Sequence, residues 1–196
     1  GTDGHPHVTA FRFPTLLGEF ESGVRLGLVS RLLKNAVIPI GLPEQTTAVD
    51  WLAGASMMIR RKVIEEVGLF DEKFFLYYEE TDLCRRAKKA NWPTHYLPDS
   101  KVAHIGSAST GLSESSDDAP EGKVDSVRLP AYWFESRAYY YHKHYGKWYL
   151  LLATVARLLG SALFSLRKRL LPTQTAGDPP HYKSDLLKNT WRYLRR

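Results

Sequence analysis

The residues best equipped for chemistry form one run, Glu79-Glu80-Thr81-Asp82, where the aromatic segment Phe74-Phe75-Leu76-Tyr77-Tyr78 meets a stretch of helical character. The helix dipole favours the ionised form of carboxylates at such a start, and their mutual repulsion opposes it. A partly shielded carboxylate aimed into a cleft can accept a proton as a general base. The same acids can equally do no more than cap a helix, and residue chemistry alone leaves both readings open. Glu80 and Asp82 lie two positions apart, about 200° around a helix of 3.6 residues per turn, so different jobs are expected of them. His104, alone at the end of a short predicted strand before Gly106, is read either as structural or as a ligand.

The elements that must position these groups follow from periodicity. Residues 8–13 read as a strand stopped by Pro14. Leu16, Phe20, Val24, Leu28 and Leu32 recur every four residues, but Gly18, Gly23 and Gly27 interrupt them, so one or two short helices or a connector are expected. These glycines form no phosphate loop. Residues 47–59 predict a strand, a close backbone approach at Gly54-Ala55, and a second strand. A helix over 60–67 ends at Gly68. A second helix over 80–91 turns Leu83, Ala87 and Ala90 inward, with acids at its start and cations at its end. Short strands follow at 94–97 and 101–105. Residues 106–127, rich in Gly, Ser and Asp, read as a mobile loop in which Asp117-Asp118 is a solvated acidic patch.

Beyond residue 130 the character changes. Residues 131–146 are strongly aromatic, and Trp148 to Leu166 is an apolar run broken by Arg157. A spanning helix with a central arginine is costly, so an interfacial helix flanked by aromatic and basic residues, or a helix packed on the body, is expected. A Pro/Thr/Gly linker (172–180) and a basic helix from His181 close the chain. His142 and His144, two apart, do not share a helix face for metal binding.

Composition bounds the reading. The chain has 196 residues, 43% hydrophobic and 24% charged, as in an ordinary globular protein. A single cysteine, Cys84, excludes an intramolecular disulfide and a Cys-based zinc site, and reads as a small buried packing residue. The net charge of +6 is uneven: twelve Lys/Arg against two acids from Arg137 onward, about +10, leave about −4 on the rest. A basic tail suggests an anionic surface. No recognition helix or aromatic sheet motif accompanies it, so no nucleic-acid partner is expected. Residues 1–7 carry no signal peptide, and the absence of a starting Met suggests a fragment or processed piece.

Taken in order, Trp51-Leu52-Ala53-Gly54-Ala55, Ile59-Arg60-Arg61, Gly68-Leu69-Phe70-Asp71-Glu72-Lys73-Phe74-Phe75, Tyr78-Glu79-Glu80-Thr81-Asp82-Leu83-Cys84-Arg85-Arg86, His104 and Ser109 resemble the second half of family 2 glycosyltransferases, nearest to the rhamnosyltransferase-like branch of bacterial envelope polysaccharide synthesis. The resemblance is close over about residues 45–110 and loose over 1–15 and 131–170. It implies a GT-A fold, an inverting mechanism and a nucleotide-sugar donor. It makes Glu80, where the family usually has Asp, the base that deprotonates the acceptor, with Asp82 as its catalytic companion. It assigns Trp51, Gly54, Ala55, Glu79 and Arg86 to substrate binding. Glycine and alanine suit close approach of a sugar ring, and tryptophan suits stacking on one. Asp71 and Glu72 match a turn that fixes the aromatic segment. His104 matches a position that completes a divalent-metal site, with Mg²⁺ or Mn²⁺ stabilising the leaving diphosphate.

One departure is large: no nucleotide-binding half with an Asp-x-Asp motif precedes Gly1. The expected fold is therefore α/β, the acceptor-side half of a GT-A fold (short mixed strands with flanking helices) with a C-terminal helical tail and the nucleotide-binding half absent. Residues 1–130 are expected as the partial catalytic domain, 131–171 as an aromatic and apolar helical region, and 172–196 as linker and basic helix. The expected partners are a nucleotide-sugar donor, a lipid-linked or glycan acceptor and an anionic membrane surface at the cytoplasmic face, with little turnover by these residues alone. The competing reading is a non-catalytic, membrane- or polyanion-binding module in which the acids only cap helices.

Overall fold

The computed structural model describes residues 6–103, 127–171 and 177–195. His104, Ser109, Asp117 and Asp118 lie outside the described residues, as does nearly all of the loop expected over 106–127. The chain divides into two compact units, one formed by residues up to Phe13 together with Ile38–Ser115, the other by Pro14–Val37 together with Ser116–Arg196.

The first unit is mixed α/β. Strand β1 (Ala10–Phe11) is the centre of a small antiparallel sheet, flanked by β2 (Pro39–Gly41) and β4 (Trp51–Leu52). Ala10 pairs with Leu52 and Phe11 with Trp51. Strand β3 (Thr47–Val49) leaves that sheet and pairs antiparallel with β5 (Thr94–Tyr96), Val49 opposite Thr94. The expected continuous strand from residue 47 is thus broken at Asp50. Its backbone N–H still reaches the Phe11 carbonyl, but its side chain turns aside: Oδ2 accepts from the Phe13 N–H at 2.9 Å, and Oδ1 pairs with Lys88 Nζ at 2.5 Å. The second strand expected after Gly54-Ala55 does not form, nor does one over 101–103. Helix α3 (Arg61–Val67) and helix α4 (Glu79–Lys89) complete the unit. Its core gathers Ala10, Val49, Val63, Phe74, Leu83 and Cys84. Burial in this core pushes the Cys84 thiol up, as a packing residue should behave.

The second unit is helical. Thr15 caps α1 (Leu16–Val24), its hydroxyl accepting from the Gly18 N–H at 3.1 Å, and α2 (Gly27–Leu32) follows. Helices α5 (Ala131–Tyr145) and α6 (Lys147–Leu170) meet at Gly146, whose φ of +85° supplies a turn that a side chain would strain. Helix α7 (Tyr182–Leu194) closes the unit. The expected boundary at residue 130 is therefore drawn differently, because residues 14–37 pack with the later helices. Two features explain this. Gly23 and Gly160 let α1 and α6 touch through their backbones: a Cβ on Gly160 would stand 2.4 Å from the Phe20 carbonyl oxygen. Glu19, buried on α1, accepts from Arg137 Nε at 3.0 Å and from the Tyr141 hydroxyl at 2.7 Å on α5. An ion pair buried this deeply holds only when its hydrogen bonds are made. The glycines read in the sequence as helix-weakening interruptions are, at Gly23, the contact surface itself.

Candidate functional site

The site sits in the first unit, where the turn after β4 faces the start of α4. The approach to α4 is unusual. Tyr77 and Tyr78 both take left-handed backbone conformations, φ +68° and +67°. Two successive non-glycine residues in that region store strain, and such strain concentrates at functional positions. Nothing in the aromatic run foretells it, since a Gly or Asn is the usual signal. The turn is seeded upstream by Asp71, whose carboxylate accepts from the Lys73 N–H at 3.1 Å and whose carbonyl accepts from the Phe74 N–H. Buried Phe74 then anchors the segment.

These turns bring Glu79 and Glu80 to the helix N-terminus. Glu80 Oε1 accepts from the Gly54 N–H at 3.3 Å, while Oε2 is enclosed without a hydrogen-bond partner among the described residues. Glu79 Oε2 is in the same condition. Burial first, and then the charge of Glu79 beside it, push the Glu80 carboxyl up to about 7. Burial also raises Glu79, against the backbone and Glu80 hydrogen bonds that lower it. Enclosed polar atoms without partners are rare and call for an explanation, such as a proton to be taken or a ligand to be met. A carboxyl poised near neutrality with one oxygen free is equipped to exchange a proton at physiological pH.

The other expected site residues fall into two groups. Gly54 and Ala55 are exposed in the turn facing Glu80 and leave room for a ligand. Trp51 is committed on one side: its ring stacks on Phe11 at 4.2 Å, and its Nε1 donates to the Arg12 carbonyl at 2.9 Å. Its indole braces the sheet under the turn, which limits it as a platform for sugar stacking.

Asp82 and Arg86 depart furthest from expectation. Asp82 is 0% exposed, and its carboxylate is already committed to an ion pair. It pairs with Arg86 Nε at 2.8 Å. The Arg86 guanidinium then reaches the carbonyls of Val67, Gly68 (3.3 Å) and Leu69 (2.7 Å), tying the end of α3 to α4. The physical reason is helix geometry: at i, i+4 the two side chains share a face, and that face turns into the body. The pair therefore stands as a clamp rather than at the open site. Among the described residues no group of three His, Cys, Asp or Glu side chains comes together to hold a metal ion, and the two raised carboxyls do not make such a set. The expected ligand His104 lies outside them.

Residues 34–117 match the family described as "Glycosyltransferase like family 2". Over 81 residues, 41% of this chain and 26% of the relative, the chain is 40% identical to the N-acetylglucosaminyl-diphospho-decaprenol L-rhamnosyltransferase of Mycobacterium tuberculosis. It is 33% identical over 93 residues, 47% of this chain, to the rhamnosyltransferase WbbL of Escherichia coli, covering 33% of that protein. It is 46% identical over 51 residues, 26% of this chain and 17% of the relative, to the low-salt glycan biosynthesis hexosyltransferase Agl10 of Haloferax volcanii. No solved structure matches. The segment that carries the acidic helix start is thus similar to family 2 glycosyltransferases, a class whose fold is GT-A. Within that class the likeness over the matched segments is to rhamnosyltransferases. The matched segments span about a quarter to a third of the length of the rhamnosyltransferases.

Proposed function

We propose that this chain carries the base and the acceptor wall of an inverting glycosyltransferase, moving rhamnose or a related hexose from a nucleotide-sugar donor to a lipid-linked or glycan acceptor. The observation that carries the proposal is Glu80: one carboxylate oxygen held by the Gly54 N–H, the other enclosed and unpartnered, and a carboxyl raised to about 7. In the proposed step the acceptor hydroxyl oxygen attacks the anomeric carbon, Glu80 Oε2 takes its proton, and the bond from that carbon to the donor phosphate breaks, releasing the nucleoside diphosphate. The Gly54 N–H fixes the carboxylate so that little reorganisation is needed as its charge changes. Gly54 and Ala55 leave space for the acceptor ring above it. Glu79 holds its neighbour's affinity for protons high. Asp82 and Arg86 take no part in the chemistry and keep α4 in place.

The relatives' printed names support the choice of sugar and acceptor: one acts on N-acetylglucosaminyl-diphospho-decaprenol, and two are rhamnosyltransferases. We assign donor-diphosphate binding, and any divalent ion it needs, to residues other than those described, and we place the transfer at the cytoplasmic membrane face. The test is Glu80→Gln in the full-length protein, with transfer of radiolabelled rhamnose measured from its nucleotide donor. Loss of transfer with the fold intact supports the base. Unchanged transfer removes it and favours a module in which the acids cap helices.

A further inference from the structure

Helix α6 has two faces of opposite character. Leu150, Ala153, Thr154, Gly160, Ser161 and Phe164 are buried within the helical unit. On the opposite side Trp148, Leu152, Val155, Leu159, Leu163 and Leu166 are between 42% and 74% exposed. At about 100° per residue these six fall within an arc of roughly 80°, a continuous apolar stripe some 27 Å long. The segment from Lys147 to Leu171 contains no acidic residue, and Lys147 at one end and Arg167, Lys168 and Arg169 at the other are its polar ends. Lys168 and Arg169 line a cleft with Lys183 on α7 and with Asp178, which pairs with Arg25.

The helix is long and apolar enough to cross a bilayer. Its packing argues against that. The Gly23–Gly160 backbone contact, Thr154 bonded to Thr190 at 2.8 Å, and Arg157 bonded to Ser22 at 2.6 Å all bind its inner face to the other helices of the unit. We propose that the outer face of α6 lies in the plane of an anionic phospholipid bilayer, with the stripe at the acyl boundary and Arg167 and Arg169, which flank the stripe at its end, among the lipid phosphates. Charge complementarity selects this occupant: an apolar stripe with a tryptophan at one end, two flanking arginines at the other and no acid between them fits a surface that is apolar within and negative at its rim. A soluble protein partner would meet the stripe without needing the one-signed border. This inference stands apart from the transfer reading, because vesicle binding is measured without donor or acceptor.

The experiment is co-sedimentation of the intact protein with phosphatidylcholine vesicles, with and without phosphatidylglycerol. Binding is expected to be about tenfold stronger with the anionic lipid and to weaken as salt is raised. The triple variant Leu152→Gln, Leu159→Gln, Leu163→Gln, all at exposed positions, is expected to lose binding about tenfold or more while keeping its far-ultraviolet dichroism. Lys147→Glu with Arg169→Glu, at the two ends of the helix, removes the preference for anionic lipid and serves as a second test should the triple variant misfold. Equal sedimentation of wild type and both variants, or none above the vesicle-free control, overturns the proposal. So does a dimer, seen by light scattering, that the triple variant abolishes without any vesicle binding, which would give the stripe to a second copy.

Discussion

Gly54 and Glu80, twenty-six residues apart, are joined by a single backbone-to-carboxylate hydrogen bond of 3.3 Å, the link between the turn after β4 and the start of α4. That bond leaves one carboxylate oxygen for chemistry and sets the direction in which it points.

If Glu80 is the base, it must be ionised to act. Transfer by the full-length protein, followed as kcat/KM, should rise with pH through about 7 and level off above it. Glu80→Gln should lower kcat by about 100-fold or more and flatten the profile.

The same carboxyl affects stability with a definite sign. Its folded value, about 7, lies above its ordinary value of 4.5, so the folded state holds the proton more tightly. The stabilisation is complete below about 4.5 and is lost as pH rises towards 7. Glu80→Gln should therefore gain on wild type over that window, by on the order of 1–3 kcal/mol, as read by denaturant unfolding at several pH values. Glu79, raised by the same burial, shares the titration, so the curve reports the pair.

Asp82 and Arg86 should behave as structure. Arg86→Met takes the ion pair from the buried Asp82 carboxylate and frees three carbonyls, a loss of about 3–5 kcal/mol. Limited proteolysis should then open the 67–70 segment first. Any protein that remains folded should keep the pH profile of the wild type, which a role in proton transfer would not allow.

Gly160→Ala and Gly54→Ala make a matched pair. The first places a methyl 2.4 Å from the Phe20 carbonyl oxygen and forces two backbones apart, for about 1–3 kcal/mol. The second meets Glu80 Oε1 at 3.7 Å, an ordinary contact, so thermal unfolding should scarcely move. An effect of Gly54→Ala on transfer alone would place acceptor contacts at that turn.

Cys84 should be unreactive. Its thiol is buried and raised, so reaction with a disulfide reagent should require unfolding and should follow the unfolding rate.

The sequence made the acidic helix start legible, because acids at one end of 79–89 and cations at the other announce a helix, and its carboxylates were the strongest chemical candidates. It also made legible the packing of Cys84 and the turn at Asp71. It did not show that Asp82 faces inward, although Arg86 four residues on was the available signal. The stacking of Trp51 on Phe11 joins residues forty apart and has no local trace. Asp50 in the middle of an apolar run reads as part of one strand; only its partners, the Phe13 N–H and Lys88, make it the point where the chain passes from one sheet to another. The tyrosines at 77 and 78 adopt a backbone that tyrosine rarely takes, and tertiary contacts alone can impose it.

The contact between Gly23 and Gly160 has a consequence for the order of events during synthesis. The residues of the mixed α/β unit have all been made while α6 is still to come, whereas α1 must wait for a partner more than a hundred residues downstream. At about 5–20 residues per second that wait is on the order of ten seconds. Over that interval the apolar side of α1 has nothing to cover it, and chains interrupted before α6 should be the ones that chaperones hold and proteases clear.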